Sequence, residues 1–298
     1  MSNWKPGEYN VEVVARGYYN NNTNTYYVQS EAVNATFRKL ESPTIDRQGD
    51  AYVWTGVDYA QNGYSVLMPN ADPVQAKQNG TVWEFQPDFD RSDLSTAGIE
   101  VKFVTNGNDA SGLIDSDAKL ITQKVIALTK PSISVKYDSE SKKFTLSTSK
   151  SAYPEVKYAF VTNGVEHVVD TNEYQCDGVS GTYTFAVKTL AGFFVGDNYY
   201  VDSDVSNNVL REIYKEIDES TIVHSKVSGG YTLSWTNPNG NVQCTVTVDG
   251  ATVTDLSSNS CKLVDIESGS TVTVTISVKG NGSSTYDSES VTYIFTAV

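Results

Sequence analysis

The chain has 298 residues, 39% of them apolar and 11% aromatic, and its 36 acidic and 22 basic side chains leave a net charge of −14. This is too apolar for a disordered chain, and so acidic a surface repels phosphate backbones, so nucleic acid is not an expected partner. No apolar run reaches membrane-spanning length and the first residues lack the apolar core of a signal peptide, so no membrane partner is expected.

The front of the chain predicts a β-hairpin. Residues 7–16 and 26–37 alternate apolar and polar side chains around an Asn/Thr-rich loop, which is typical of strands with one buried face. The apolar positions are Tyr9, Val11, Val13, Ala15, Val33, Ala35 and Phe37. Because an isolated hairpin is marginal in water, we expect this face to be covered. The cover is a preceding part of the chain, another molecule, or the hairpin's own first full repeat.

The same hairpin pattern returns three more times. A serine followed by an acidic residue marks each second strand, at Ser30, Ser116, Ser203 and Ser288, with spacings of 86, 87 and 85 residues. Repeat starts at Pro43, Pro131 and Ser220 have a similar period. A fixed period predicts tandem domains. We predict a docking hairpin over 1–40 and three domains over 41–129, 130–214 and 215–298.

Each full repeat contains about seven short strands, which predicts an antiparallel sandwich of two sheets. The Pro-x-Ile starts, the tryptophans Trp54 and Trp235, and the closing Gly-x-Tyr-x-Val…Ser-Asp/Glu hairpin resemble fibronectin type III and immunoglobulin-like repeats. The middle repeat departs from the pattern, since Thr148 stands at the tryptophan position. The resemblance implies an all-β fold of three tandem sandwiches behind an incomplete repeat, and it implies no catalytic residues.

Candidate chemistry along the sequence is sparse. His167 and His224 lie in different repeats, and no glycine-rich phosphate loop opens a helix. The acidic loop of residues 88–93 has carboxylates that suit calcium but lacks the pattern of an EF-hand. A Cys244–Cys261 bridge is conceivable, although free thiols are favoured in a reducing compartment. We therefore predict no enzyme activity, no cofactor and no metal.

Tyrosines provide the candidate interaction residues. Neighbouring side chains on a strand point to opposite faces, so we assign Tyr27 and Tyr200 to the core and expect Tyr26 and Tyr199 to face outward. Exposed aromatic side chains suit protein interfaces or stacking on sugar rings. The predicted interface residues are Trp4, Tyr9, Val11, Val13, Tyr18, Tyr19, Tyr26 and Tyr199.

Repeats of this resemblance occur as add-on domains of tailed-phage virion proteins and as stalks or binding modules on bacterial surfaces. The plain Met start, the acidic Asn/Thr/Tyr-rich composition and the incomplete first repeat favour a virion protein, such as a capsid decoration, attached to other virion proteins through its hairpin. The alternative is a fragment of a bacterial cell-surface stalk or adhesin that binds a surface glycan.

Overall fold

The structure, a computed structural model, describes residues 4–69 and 71–298, and these residues form an all-β fold. Within them, single-turn 3-10 helices occur at Arg91–Asp93, Asp109–Ser111 and Glu219–Thr221. No helix in this part of the chain is long and apolar enough to cross a membrane. The chain divides into two compact units: unit 1 comprises residues up to Leu128 together with Ala191–Asp202, and unit 2 comprises Thr129–Leu190 and Ser203–Val298.

The strands are numbered in chain order. The first thirteen are β1 (Gly7–Val13), β2 (Tyr18–Asn20), β3 (Thr25–Tyr27), β4 (Val33–Lys39), β5 (Asp46–Gln48), β6 (Ala51–Thr55), β7 (Tyr64–Leu67), β8 (Val74–Gln75), β9 (Lys77–Asn79), β10 (Val82–Phe85), β11 (Ser95–Thr105), β12 (Leu113–Ile114) and β13 (Lys119–Ala127). The next nine are β14 (Ser134–Asp138), β15 (Lys143–Ser147), β16 (Lys157–Thr162), β17 (Val165–Val169), β18 (Glu173–Asp177), β19 (Gly181–Leu190), β20 (Phe193–Val195), β21 (Asn198–Val201) and β22 (Val209–Ile213). The last eight are β23 (Val223–Val227), β24 (Gly230–Ser234), β25 (Cys244–Asp249), β26 (Thr252–Thr254), β27 (Ser260–Val264), β28 (Thr271–Val278), β29 (Thr285–Tyr286) and β30 (Val291–Thr296).

Unit 1 contains the front hairpin and the first sandwich. The sandwich consists of the sheet β5-β6-β10-β9 and the sheet β20-β21-β13-β11-β7-β8. Strands of both sheets bury large aromatic side chains at alternate positions. Tyr52 packs on Phe103 with ring centroids 5.2 Å apart, and Trp54 packs on Tyr64 with ring centroids 5.3 Å apart. The hairpin strands form a separate sheet, β1-β4-β12, and β2 pairs with β3.

Unit 2 contains the second and third sandwiches. The second is formed by β14-β15-β18 and β17-β16-β19-β22-β29, and the third by β23-β24-β27-β26 and β25-β28-β30. Phe144 of the second core lies 4.8 Å from Tyr183 and 5.0 Å from Phe185, measured between ring centroids. The third core is mainly aliphatic. Its fully buried side chains include Leu233, Leu263, Val274 and Ile276.

The strand order is that of fibronectin type III and immunoglobulin-like sandwiches. The third sandwich pairs a four-stranded sheet with a three-stranded sheet, as in constant-type immunoglobulin domains. In the second sandwich, β17 pairs with β16 and so belongs to the sheet β17-β16-β19-β22-β29, not to the sheet β14-β15-β18. The predicted all-β fold of tandem sandwiches behind a partial repeat is confirmed. The domain boundaries drawn from the sequence stay a prediction. Trp54 and Trp235 are buried, and Thr148 is buried in the middle sandwich.

The repeat serines share one structural role. Each serine hydroxyl accepts a hydrogen bond from a backbone N–H at or just beyond the end of the preceding long strand and donates to the backbone carbonyl of the acidic residue that follows. The four accepted bonds come from Ala15 to Ser30 at 2.9 Å, Thr105 to Ser116 at 2.9 Å, Thr189 to Ser203 at 2.9 Å and Val278 to Ser288 at 2.8 Å. The serine therefore fixes where the last strand of each repeat begins. This geometry explains why the serine marks the repeat in the sequence.

Candidate docking surfaces

The front hairpin has one polar and one apolar face. On the polar face Thr36 donates to Asn10 at 2.8 Å, and Arg38 pairs with Glu8 at 2.8 Å. On the other face Tyr9 lies opposite Phe37, and two further apolar pairs follow at Val11 and Val13. Alternation of this kind is typical of a strand pair that packs one face on a core and leaves the other face in water.

The apolar face of the hairpin is half-buried at Tyr9, Val11, Ala35 and Phe37 and open at the end formed by Val13 and Val33. Val13 is 62% exposed and Val33 is 69% exposed. The same register in the third sandwich places Val272 opposite Phe295 and Ile276 opposite Val291. There Val272 and Ile276 are at most 1% exposed because a second sheet covers them. The hairpin thus presents half of a sandwich core.

One edge of the hairpin is also open. In the sheet order β1-β4-β12, β1 is an edge strand among the described strands. The equivalent strands β11, β19 and β28 each pair on that side with a further strand, namely β7, β16 and β25. The hairpin therefore offers both an unpaired strand edge and an apolar face that is uncovered at Val13 and Val33.

The other edge of the hairpin is attached within unit 1. β12 pairs in parallel with β4, and Lys39, which is only 4% exposed, donates to the carboxylate of Asp117 and to the carbonyl oxygen of Trp4, both at 2.7 Å. Trp4 packs on Tyr9 with ring centroids 4.5 Å apart. Of the alternatives for covering the hairpin, docking on its own first repeat accounts for this edge and leaves Val13 and Val33 of the apolar face exposed.

The loop of the hairpin forms a small tyrosine platform, the tip, which we define as β2 and β3 together with Val28. Tyr18 stacks on Tyr27 with centroids 4.9 Å apart, and Tyr19 lies 6.4 Å from Tyr26 on the opposite side. All four rings are 46% or more exposed, and Val28 is 81% exposed. Tyr26 faces outward as expected, but the assignment of Tyr27 to the core is wrong, because β2 and β3 pair only with each other among the described strands and no second layer covers them.

Tyr199 occupies a different environment from the one predicted. Its side chain is 3% exposed and contacts Phe89 and Phe194, with ring centroids 5.2 and 4.9 Å away. Burial raises the pKa of its phenol to about 12. The prediction that Tyr199 faces solvent is wrong, because β21 joins the first sandwich and turns Tyr199 into that core. Tyr200, which the sequence pattern assigns to the core, is half-buried on the other face. The two rings do lie on opposite faces.

The predicted residues thus fall into separate groups. Tyr9, Val11 and Val13 share the apolar face, with Trp4 packed on Tyr9, and Tyr18, Tyr19 and Tyr26 share the tip. Tyr199 belongs to neither surface. Their part in an interface stays a prediction. Sequence reasoning did not identify Val28 or β30 as candidate interaction sites, although Tyr26-Tyr27-Val28 repeats the order Tyr199-Tyr200-Val201.

The polar candidates have local structural roles. Asp90 caps the 3-10 helix Arg91–Asp93, and hydrogen bonds from Ser92 hold the pKa of its carboxyl below the usual value. His224 stacks on Phe295 with centroids 4.3 Å apart. Within residues 4–69 and 71–298, no three His, Cys, Asp or Glu side chains are grouped to hold a metal ion. The thiols of Cys176, Cys244 and Cys261 are free.

Comparison with known proteins adds the following. The chain matches no protein-family model and no curated protein. Among solved structures it is similar to the FN1–FN3 domains of chicken CNTN1, with 11% sequence identity, a TM-score of 0.27, and coverage of 87% of this chain and 99% of that chain. The assignment of the fold above depends on the sheets and their order.

Proposed function

We propose that this protein is a non-enzymatic structural protein of a larger assembly, attached to it through the front hairpin. The observation that carries the proposal is the half-sandwich made by β1 and β4, whose apolar face is exposed at Val13 and Val33. Covering such a face is favourable by about 25 cal/mol per Å² of apolar surface removed from water.

The geometry of the hairpin suits a partner that adds a strand. β1 has an open edge that an antiparallel strand would extend, and apolar side chains on that strand and its neighbours would cover Tyr9, Val11 and Val13. This is strand addition, in which backbone hydrogen bonds provide affinity and alternate side chains provide specificity. The partner is accordingly a polypeptide with an apolar strand to contribute.

A virion is the setting that we propose, with this protein as an exterior accessory such as a phage capsid decoration. Its sandwiches and its acidic, Asn/Thr/Tyr-rich surface are compatible with exposure to solvent on a particle. Mass spectrometry of purified particles of the encoding virus should find this polypeptide. Its absence from the particles would refute the virion setting.

Attachment is tested by incorporation of variants into particles. We expect removal of residues 1–38, or the pair Val13→Asp and Val33→Asp, to abolish incorporation, because a charge on the apolar face opposes its burial. Asn10→Asp, on the polar face of β1, is the matched control and should be incorporated normally, because it lies opposite Thr36 and an aspartate still accepts the Thr36 hydrogen bond. Unchanged incorporation of the truncated protein would contradict the proposal.

The alternative function is that of a bacterial cell-surface stalk or adhesin that binds glycans. The observation that favours it is the exposed tyrosine platform of the tip, since aromatic faces stack on sugar rings. A glycan array probed with wild type and Tyr18→Ala tests this reading. Binding that Tyr18→Ala abolishes would favour it over the virion setting.

A further inference from the structure

Three segments of the chain pair with a preceding last strand in the same way. β12 pairs in parallel with β4, β21 with β13, and β29 with β22. In each case the added segment, which is β12, β21 or β29, ends two residues before a repeat serine, at Ile114, Val201 and Tyr286 respectively. Each receiving strand is the last strand of the preceding repeat. The protein thus uses one rule of strand addition three times.

Backbone hydrogen bonds hold these pairings. Leu40 N donates to Ile114 O at 3.0 Å, Leu128 N to Val201 O at 3.0 Å, and Tyr214 N to Tyr286 O at 3.2 Å. The side chain of the last residue in the added segment also packs inward. Val201 is 2% exposed, and the Tyr286 ring lies 4.9 Å from that of Tyr137.

The tip is the fourth segment of this type. Its residues 25–28 read Thr-Tyr-Tyr-Val and the residues of β21 read Asn-Tyr-Tyr-Val, and in both a serine follows two residues later. Yet Tyr26 is 72% exposed where Tyr199 is 3% exposed, and Val28 is 81% exposed where Val201 is 2% exposed. Among the described strands, β3 pairs only with β2. The tip therefore has the sequence of a docked segment without the strand on which such segments dock.

β30 offers the complementary half. It is the last strand of the third sandwich and an edge strand in the order β25-β28-β30. Ala297 N bonds to Ser270 O on the β28 side, and backbone groups alternate sides along an antiparallel pair, so Ile294 and Thr296 direct theirs toward the open edge. Thr296 stands eight residues after Ser288, as Arg38, which receives β12, stands eight after Ser30. Ile294 is 60% exposed.

Charge also favours a match between these two surfaces. The protein has a net charge of −14, so two copies repel each other over most of their surfaces. Residues 17–30, which include the tip, and residues 290–298, which include β30, contain no Asp, Glu, Lys or Arg. These two segments can meet without burying a charge or opposing like charges.

We propose that residues 26–28 of one copy add in parallel to the open edge of β30 of a second copy, so that the protein associates head to tail. The interface joins two different surfaces, and such heterologous contacts generate open chains or closed rings. This association uses the tip and β30, not the apolar face of β1 and β4, and it does not depend on the proposed attachment.

Analytical ultracentrifugation of the full chain over a range of concentrations tests the proposal. The weight-average mass of the wild type should rise with concentration. Val28→Asp and Ile294→Asp should each weaken self-association by more than about tenfold, the size expected when a central contact is replaced by a charge. Val179→Asp, at another exposed valine, should associate as the wild type does. Thermal unfolding checks that each variant folds.

Mixing the two variants gives the decisive result. Val28→Asp retains an intact β30 and Ile294→Asp retains an intact tip, so the mixture should form 1:1 dimers that grow no further, since the two altered surfaces carry like charges. A wild type that stays monomeric would overturn the proposal and assign the tip to a different partner, such as a sandwich of another chain. Loss in both single variants without recovery in the mixture would also overturn it. The pair Val13→Asp and Val33→Asp should block attachment to particles while leaving self-association unchanged, which separates the two proposals.

Discussion

Lys39 and Asp117 form an ion pair, with the lysine Nζ 2.7 Å from the aspartate Oδ1, that joins the last strand of the front hairpin to the segment after β12. The lysine side chain is 4% exposed and the aspartate side chain is 62% exposed. The two charged groups therefore differ in their exposure: the lysine ammonium group is buried, whereas its carboxylate partner is in contact with water.

Removing this partner should loosen the hairpin. We expect Asp117→Ala to destabilise unit 1 by about 1–2 kcal/mol, less than for a fully buried pair because the carboxylate is screened by solvent. The hairpin should also become more sensitive to limited proteolysis. Glu8→Ala breaks the exposed Arg38–Glu8 pair and should change the free energy of unfolding by no more than about 0.5 kcal/mol. Equal effects of the two variants would contradict the distinction.

The repeat serines offer a second test. In Ser288→Ala the N–H of Val278 loses its acceptor in a buried position, which should cost about 1–3 kcal/mol. Ser30 makes the equivalent bond in an exposed position, where water replaces the hydroxyl, so Ser30→Ala should cost less than about 0.5 kcal/mol. Urea unfolding of both variants measures the difference. A larger effect at Ser30 than at Ser288 would show that burial does not set the cost.

Gln123 holds residues 191–202 in unit 1. Its side chain is fully buried. It accepts from the Tyr52 hydroxyl at 2.9 Å and donates to the carbonyl oxygen of Asp197 at 2.9 Å. Gln123→Leu leaves these groups unpaired, so we expect a loss of about 2–3 kcal/mol and faster amide hydrogen exchange in β20 and β21.

The matched control for Gln123 is the Arg47–Asp197 ion pair. The Asp197 side chain is 89% exposed, so Asp197→Ala should change stability by less than about 1 kcal/mol and leave exchange in β21 nearly unaltered. Unchanged exchange in Gln123→Leu would mean that apolar packing of Tyr199 and Val201 suffices to hold the segment.

The buried thiol of Cys261 should make stability fall at alkaline pH. Burial raises the pKa of this thiol from 9.0 to about 11. The folded state thus holds its proton more tightly than the unfolded state, and the resulting stability is complete below pH 9.0 and is lost as the pH rises through about 11. Urea unfolding at a series of pH values should show a decline steeper in the wild type than in Cys261→Ala, by up to about 1.4 kcal/mol per pH unit. Parallel curves would contradict this assignment.

The repeat could be predicted from the sequence because its cause is local. The serine hydroxyl of each repeat bonds to a backbone N–H that lies only ten to fifteen residues away in sequence, and the alternation of Tyr9, Val11 and Val13 follows from the pleat of a single strand. The same reasoning identified the front hairpin as half of a sandwich. No contact between distant parts of the chain was needed for either inference.

The environment of the tyrosines could not be predicted in this way. Alternation places Tyr199 and Tyr200 on opposite faces of a strand, but it does not state which sheet that strand joins, and a second layer decides which face is buried. Two nearly identical segments show the difference: Tyr199 and Val201 are buried because β21 pairs with β13, whereas Tyr26 and Val28 are exposed because β3 pairs only with β2 among the strands that the structure describes. The sequence by itself determined the repeats, the strands and the faces within each strand. Only the tertiary structure decided which edges are paired and which faces are covered, because strand pairing depends on residues far apart in the chain.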